Sequence, residues 1–249
     1  MRRRLMAGNW KMHLDLRGAI QLAAGLKREL AEATQADLAV FPPFLFLADV
    51  ADTLQDSNID VGAQNMHPEA QGAFTGEVSA PMLVSVGCRW VIIGHSERRD
   101  QFGEKDVFLN AKVRAALKSG LKPVLCVGEH LADRQAGKAE ELVRAQVETC
   151  LQGFSAEDME QITVAYEPVW AIGTGVTATP EQANEMHARI RALLKGLFSA
   201  EIAGTTRILY GGSVKPSNSK ALMAEPEIDG FLVGGASLKV EDFVAIVKS

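Results

Sequence analysis

The sequence predicts an α/β protein folded as a single (β/α)8 barrel over residues 1–249. Three observations carry that reading. Short apolar runs alternate with longer amphipathic segments from end to end, and eight such runs can be counted. Several runs are apolar on both faces, the pattern of strands buried in a parallel sheet. The length, 249 residues, is close to the roughly 250 that this architecture needs. A doubly wound open sheet is the rival. Against it, no strand is followed by Gly-x-Gly-x-x-Gly, and no linker, repeat or composition break marks a second domain.

In chain order, the first strand is expected at 5–9, followed by Asn9-Trp10-Lys11. Ile20, Ala23, Ala24, Lys27, Leu30 and Ala31 form a helical stripe that leads to a second strand at 38–41. The third strand, 59–62, opens into Gln64-Asn65 and an unusually long connection, 64–79. Loops of that length are usually functional or disordered, and Met66 and Phe74 argue against disorder. The connection is therefore either a surface loop folded on itself or an arm that inserts into a partner subunit. The fourth strand, 90–93, precedes Gly94-His95-Ser96-Glu97-Arg98-Arg99, and the fifth, 123–127, precedes Gly128-Glu129.

The sixth strand, 162–166, ends against Glu167, and Pro168 stops it because proline has no N–H for the ladder. An apolar segment follows, Pro168-Val169-Trp170-Ala171-Ile172-Gly173-Thr174-Gly175-Val176-Thr177-Ala178, and reads as a movable flap. Thr179 as N-cap, Pro180 at the first helical position and Gln182 three after the cap then start a helix. Ala183, Met186, Ile190, Leu193, Leu194 and Leu197 fall on one face of it. The seventh strand, 208–210, leads to Gly211-Gly212-Ser213 and a short helix at 217–223. The eighth, 231–233, leads to Gly234-Gly235-Ala236-Ser237.

Composition narrows the function classes. Twenty-six basic against 31 acidic side chains leave a formal charge of −5, so no nucleic-acid partner is expected, although a local site for a small anion fits. The three cysteines, Cys88, Cys126 and Cys150, match no zinc or redox spacing, and a reducing cytoplasm suits them. Met1-Arg2-Arg3-Arg4 is basic, but the apolar run behind it, Leu5-Met6-Ala7, is too short for a signal peptide. No stretch is long enough to span a bilayer, so no membrane partner is expected.

In a barrel of this kind, chemistry sits where the strands end at their carboxyl edge. Glu167 is a carboxylate at a strand terminus beneath an apolar flap. Burial there would raise its pKa from about 4.3 toward that of a working general base. Lys11 is either a solvated lysine or a point charge at the barrel mouth, suited to a phosphate and a developing oxyanion. His95 is either a capped strand end or an imidazole kept neutral by the helix that Ser96-Glu97 starts. His13, His67, His130 and His187 read as structural or surface residues. The glycine pairs after strands seven and eight would let backbone N–H groups approach a phosphate. Cys126 reads as a small buried filler. Arg98, Arg99 and Glu104 read as a structural charge cluster, with one arm available to a subunit interface.

Tyr166-Glu167-Pro168-Val169-Trp170-Ala171-Ile172-Gly173-Thr174-Gly175 resembles the base-and-lid motif of the triosephosphate isomerase family. So, in the same order along the chain, do Gly8-Asn9-Trp10-Lys11, Gly94-His95-Ser96-Glu97-Arg98-Arg99, Cys126-Val127-Gly128-Glu129, Tyr210-Gly211-Gly212-Ser213-Val214 and Leu232-Val233-Gly234-Gly235-Ala236-Ser237-Leu238. The resemblance implies a TIM barrel, the fold named for that family. It also implies interconversion of dihydroxyacetone phosphate and D-glyceraldehyde 3-phosphate through a cis-enediolate, in glycolysis and gluconeogenesis. Glu167 would move the proton between carbons, and His95 would polarise the carbonyl. Lys11 and Asn9 would stabilise the oxyanion, and Glu97 would support Lys11 and His95. The backbone of Gly173, Ser213, Gly234 and Gly235 would hold the phosphate of the phosphorylated three-carbon substrate. No cofactor or metal is implied. A homodimer is, through the 64–79 loop, with Phe74-Thr75-Gly76 docked beside Lys11 and His95 of the other subunit. One departure stands out: Val176 occupies the far lid hinge, where the family commonly has lysine, and this predicts slower or less complete closure. A binding-only phosphosugar barrel, and a phosphosugar enzyme of tryptophan or histidine biosynthesis, remain as rivals. Neither calls for His95 and the lid sequence together.

Overall fold

Eight parallel strands close into a barrel in the order β1 to β8 in the computed structural model, which describes residues 2–172 and 177–249. The strands are β1 (Arg4–Asn9), β2 (Ala36–Phe41), β3 (Ile59–Ala63), β4 (Trp90–Ile93), β5 (Lys122–Val127), β6 (Thr163–Tyr166), β7 (Ile208–Tyr210) and β8 (Gly230–Val233). Closure runs through β1 and β8, which pair Leu5 with Gly230 and Gly8 with Val233.

The double-sided apolar pattern has a direct explanation. Leu5, Ala7, Ala39, Phe41, Trp90, Ile92, Val124, Cys126, Ala165, Leu209 and Leu232 pack together inside the barrel. Their strand neighbours, among them Met6, Val40, Val91, Leu125 and Val164, face outward and pack under the helices. Successive side chains on a strand point to opposite faces, so a strand with core on both sides needs apolar residues throughout. Cys126 is buried in the inner set, as a filler would be, and burial pushes its thiol pKa well up. At the amino-terminal end Trp90 closes the bore. Its Nε1 donates to Asp60 at 2.9 Å, and Lys122 and Arg207 lie 5.2 and 5.9 Å from its ring centre.

The expected helices are found at Leu16–Glu29, Pro180–Leu197 and Pro216–Met223, but the first stripe is displaced: Leu30 and Ala31 lie beyond the helix, Ala24 is exposed, and the face that packs is Ala19, Leu22, Ala23 and Leu26. Thr179 caps Pro180–Leu197 with a full capping box: its hydroxyl accepts the Gln182 N–H, and the Gln182 side chain accepts the Thr179 N–H. The long 64–79 connection is pinned at its base, where the His67 N–H donates to the Val78 carbonyl at 2.8 Å. Phe74 projects from it against the His67 ring, with ring centres 4.1 Å apart.

The charge cluster differs from expectation. Arg98 does pair with Glu104 at 2.6 Å, but the second cation there is Lys112, only 1% exposed, at 2.6 Å from the same oxygen. Arg99 turns away from Glu104, to Asp106 and to the strand ends.

Candidate active site

Asn9, Lys11, His95, Glu167, Ser213, Gly234 and Gly235 all line one cavity of about 640 Å³ at the carboxyl edge of the barrel. They arrive from β1, β4, β6, β7 and β8, so only barrel closure brings them together.

Lys11 follows β1 with φ +49°, a conformation that costs a non-glycine residue energy and must be held from outside. The Gln64 amide does part of this, donating to the Lys11 and Phe41 carbonyls at 2.8 Å each. Asn9 Oδ1 accepts the Lys11 N–H at 3.0 Å, so only the amide NH2 of Asn9 can act on an anion. Lys11 Nζ reaches Glu97 Oε1 at 2.8 Å, which gives Glu97 the supporting contact expected of it.

His95 is the N-cap of the helix Ser96–Gln101, and its Nδ1 accepts the Glu97 N–H at 3.2 Å. A ring protonated on both nitrogens could not accept that bond. The charged neighbours pull the other way. Burial opposes a charged ring, but Glu167 and Glu97 favour one, and the net direction of the pKa is upward. The accepted N–H decides the matter: the ring is neutral, with its hydrogen on Nε2.

Glu167 is 1% exposed, buried as the sequence leads one to expect. Burial raises its pKa. His95, 3.0 Å from Oε1, pulls it down only as a charged ring, and with that charge, the Ser96 N–H at 2.9 Å and Lys11, the net direction is below the ordinary glutamate value; with the ring neutral, only the Ser96 N–H and the Lys11 charge oppose burial. The sequence expectation weighed burial and not the helix amino terminus aimed at Oε2. The close His95 contact to Oε1 is not aligned as a hydrogen bond, so Oε1 keeps its lone pairs free of an aligned donor.

Another part of the cavity lining, expected from the sequence to face a phosphate, comes from the segments after β7 and β8. A Cβ at Gly235 would meet nothing within 4 Å, and one at Gly234 would lie 3.9 Å from Lys11 Nζ. The Ser213 N–H donates to the Ala171 carbonyl at 3.2 Å, so a phosphate would have to displace that bond. Of the flap, Val169–Ala171 forms a single 3-10 turn, Ala171 and Ala178 are buried, and Thr177 is exposed. Gly173, Thr174, Gly175 and Val176 lie outside the described residues, and with them the phosphate role of Gly173 and the hinge expectation for Val176.

Glu129 had no role assigned from the sequence. It is fully buried, and its Oε1 accepts from the Tyr166 hydroxyl at 3.0 Å, Trp170 Nε1 at 2.8 Å and Arg134 at 3.3 Å. It therefore ties the root of the flap to β6. The available signal was a charged residue directly after Gly128 at a buried strand end. His187 is also buried, with Nδ1 3.0 Å from the Glu227 carbonyl. Burial lowers its pKa to about 4. Among the described residues, no group of three or more His, Cys, Asp or Glu is placed to hold a metal ion.

The chain matches the triosephosphate isomerase family model over residues 4–249. It is 56% identical over 247 residues to the triosephosphate isomerase of Chloroflexus aurantiacus, covering 99% of each chain. It is 53% identical over 248 residues to that of Herpetosiphon aurantiacus (100% and 99% of the two chains) and 52% identical over 248 residues to that of Syntrophotalea carbinolica (100% and 98%).

Proposed function

The chain belongs to the triosephosphate isomerase family, and from that premise we propose that Glu167 is the base, and His95 and Lys11 the electrophiles, of its reaction. The reaction interconverts dihydroxyacetone phosphate and D-glyceraldehyde 3-phosphate, a step of glycolysis. Glu167 takes a proton from C1 of the ketose. The C–H electron pair becomes the C1–C2 double bond, and negative charge moves to the carbonyl oxygen. That charge meets the Nε2–H of His95, the Lys11 ammonium and the Asn9 amide. His95 gives its Nε2 proton to the C2 oxygen and takes the proton of the C1 hydroxyl in its place, so that charge passes to the C1 oxygen; return of the carbon-bound proton from Glu167 to C2, as C1=O forms, completes the isomerisation. This family is itself the familiar case of a neutral histidine acting as electrophile.

The observation that carries the reading is the convergence of Glu167, His95 and Lys11 on one cavity that Ser213, Gly234 and Gly235 also line. In the present conformation the Ser96 N–H and the Lys11 charge stabilise the Glu167 carboxylate against burial. Rotating Oε1 toward a bound carbon removes those contacts, and a closed flap leaves burial as the dominant influence. Catalytic hydrogen bonds of this kind commonly tighten only once substrate is bound. A coupled assay on the parent and Glu167→Ala tests the assignment. Turnover should collapse in the variant while a phosphate-bearing competitor still binds. Retained turnover would refute it.

The same reading makes residues 1–249 one catalytic domain of a homodimer. The segments that follow the adjacent strands β1 to β4 present Met12 (94% exposed), Leu45 (85%), Phe74, Met82 and Phe102 to solvent. An apolar surface spread over neighbouring loops fits burial against a second copy. No helix among the described residues is long and apolar enough to cross a membrane, and a cytoplasmic setting suits a glycolytic step.

A further inference from the structure

We propose that Arg99 is a positioning residue for the reaction, setting the place of the base, the electrophile and the cation through one short helix. The inference rests on the roles given to Glu167, His95 and Lys11. Each of the three touches the helix Ser96–Gln101. His95 is its N-cap, Glu167 Oε2 accepts the Ser96 N–H at 2.9 Å, and Lys11 Nζ meets Glu97 Oε1 at 2.8 Å. A helix of six residues does not hold itself in place, and Ser96 is its only buried residue. Something outside it must fix its position and pitch.

Arg99 is that anchor. Its Nε donates to the Gly94 carbonyl at 2.8 Å, one Nη to the Cys126 carbonyl at 3.0 Å, and the other Nη to Asp106 at 2.5 Å. Gly94 and Cys126 lie at the carboxyl ends of β4 and β5, one step beyond the paired residues Ile93 and Leu125. Cys126 is itself in register with Ala165, two residues before Glu167. Asp106 begins the helix Asp106–Lys118 and also lies 3.3 Å from Cys150 Sγ, which can donate to it. One planar guanidinium thus bridges two strand ends and a helix start. The fork of a guanidinium makes these three contacts at once, and a lysine ammonium, a single point, cannot reproduce them. Arg98 takes no part, because it turns to Glu104 and lies over the Phe102 ring.

The test compares Arg99→Lys with Arg191→Lys. Arg191 is an equally enclosed guanidinium at the opposite edge of the barrel, bound to Asp229 and to the Ala203 and Thr206 carbonyls. Three readouts are taken: kcat and KM, Tm, and the ligand-free 15N NMR signals of the His95 ring. A misplacement on the order of 1 Å costs about 100-fold in rate. Arg99→Lys should therefore lose about 10- to 100-fold in kcat with KM nearly unchanged, and should shift the His95 signals. Arg191→Lys should lose Tm but keep both kcat and the His95 signals. Parental kcat and His95 signals in Arg99→Lys would overturn the proposal, as would an equal kcat loss in Arg191→Lys. If Arg99→Lys does not fold, Asp106→Asn weakens the same clamp from its more open end and is judged by the same readouts. If the parent fails to isomerise triose phosphates, the catalytic reading falls, and the His95 signals still decide whether Arg99 positions the ring.

Discussion

Gly211→Ala should slow the reaction without emptying the phosphate site. Gly211 follows β7, and a Cβ built on it would lie 2.9 Å from Glu167 Cγ and 3.2 Å from the Tyr166 carbonyl oxygen. Gly211 is not among the glycines with positive φ, so the alanine backbone is acceptable there. Carbon atoms prefer a separation of about 3.5 Å or more, so the base must retreat by about 0.6 Å. A displacement on the order of 1 Å costs about 100-fold, and a retreat of this size about 10- to 50-fold in kcat, or about 1.4–2.3 kcal/mol of barrier. Ser213, Gly234 and Gly235, proposed to hold the phosphate, stay in place, so KM should change by less than about threefold. The coupled assay, run well below the variant's Tm because overpacking costs about 1–3 kcal/mol of stability, reads both numbers. A kcat within twofold of the parent would refute the geometry claimed for Glu167. A loss confined to KM would place Gly211 in the phosphate cradle instead.

His187 should make stability depend on pH. Its folded pKa of about 4 lies below the unfolded 6.5, so the unfolded chain binds more protons between those values. Its contribution of about 3 kcal/mol is complete above pH 6.5 and is lost as pH falls toward 4. Urea titrations from pH 7 to 4 should show that slope in the parent and a flatter one in His187→Gln. Glu129→Leu strands the buried Tyr166 hydroxyl and should cost about 1–3 kcal/mol, whereas Glu129→Gln, which keeps an acceptor, should cost less; chemical denaturation distinguishes them. Phe74→Lys should shift the protein toward monomer in sedimentation experiments and lower its specific activity at low concentration, if the 64–79 loop docks on a second copy.

The strands were readable because a residue set apolar on both faces has few other places to go. Each expected run lies within two residues of the observed strand at either end, and β4 and β7 coincide with theirs. The cap at Thr179 was readable for a similar reason, since its partners are local in sequence. The roles of Glu129 and Arg99 were not. Glu129 meets Tyr166 and Trp170, and Arg99 meets Cys126, across neighbouring strands whose ends lie far apart in sequence. The groups that oppose burial at Glu167 were not readable for the same reason. Burial could be anticipated from the apolar flap, but His95, the Ser96 N–H and the Lys11 charge reach Glu167 from other strands.

The most direct test of the central claim follows solvent deuterium. Dihydroxyacetone phosphate is incubated in D2O with the parent and with Glu167→Gln, and deuterium at C1 is read by proton NMR alongside the isomerisation rate. The account predicts both exchange and isomerisation in the parent, and loss of both in Glu167→Gln with binding of a phosphate competitor retained. Exchange at C1 that persists in Glu167→Gln would mean that another group removes the proton, and would contradict the assignment of Glu167 as the base.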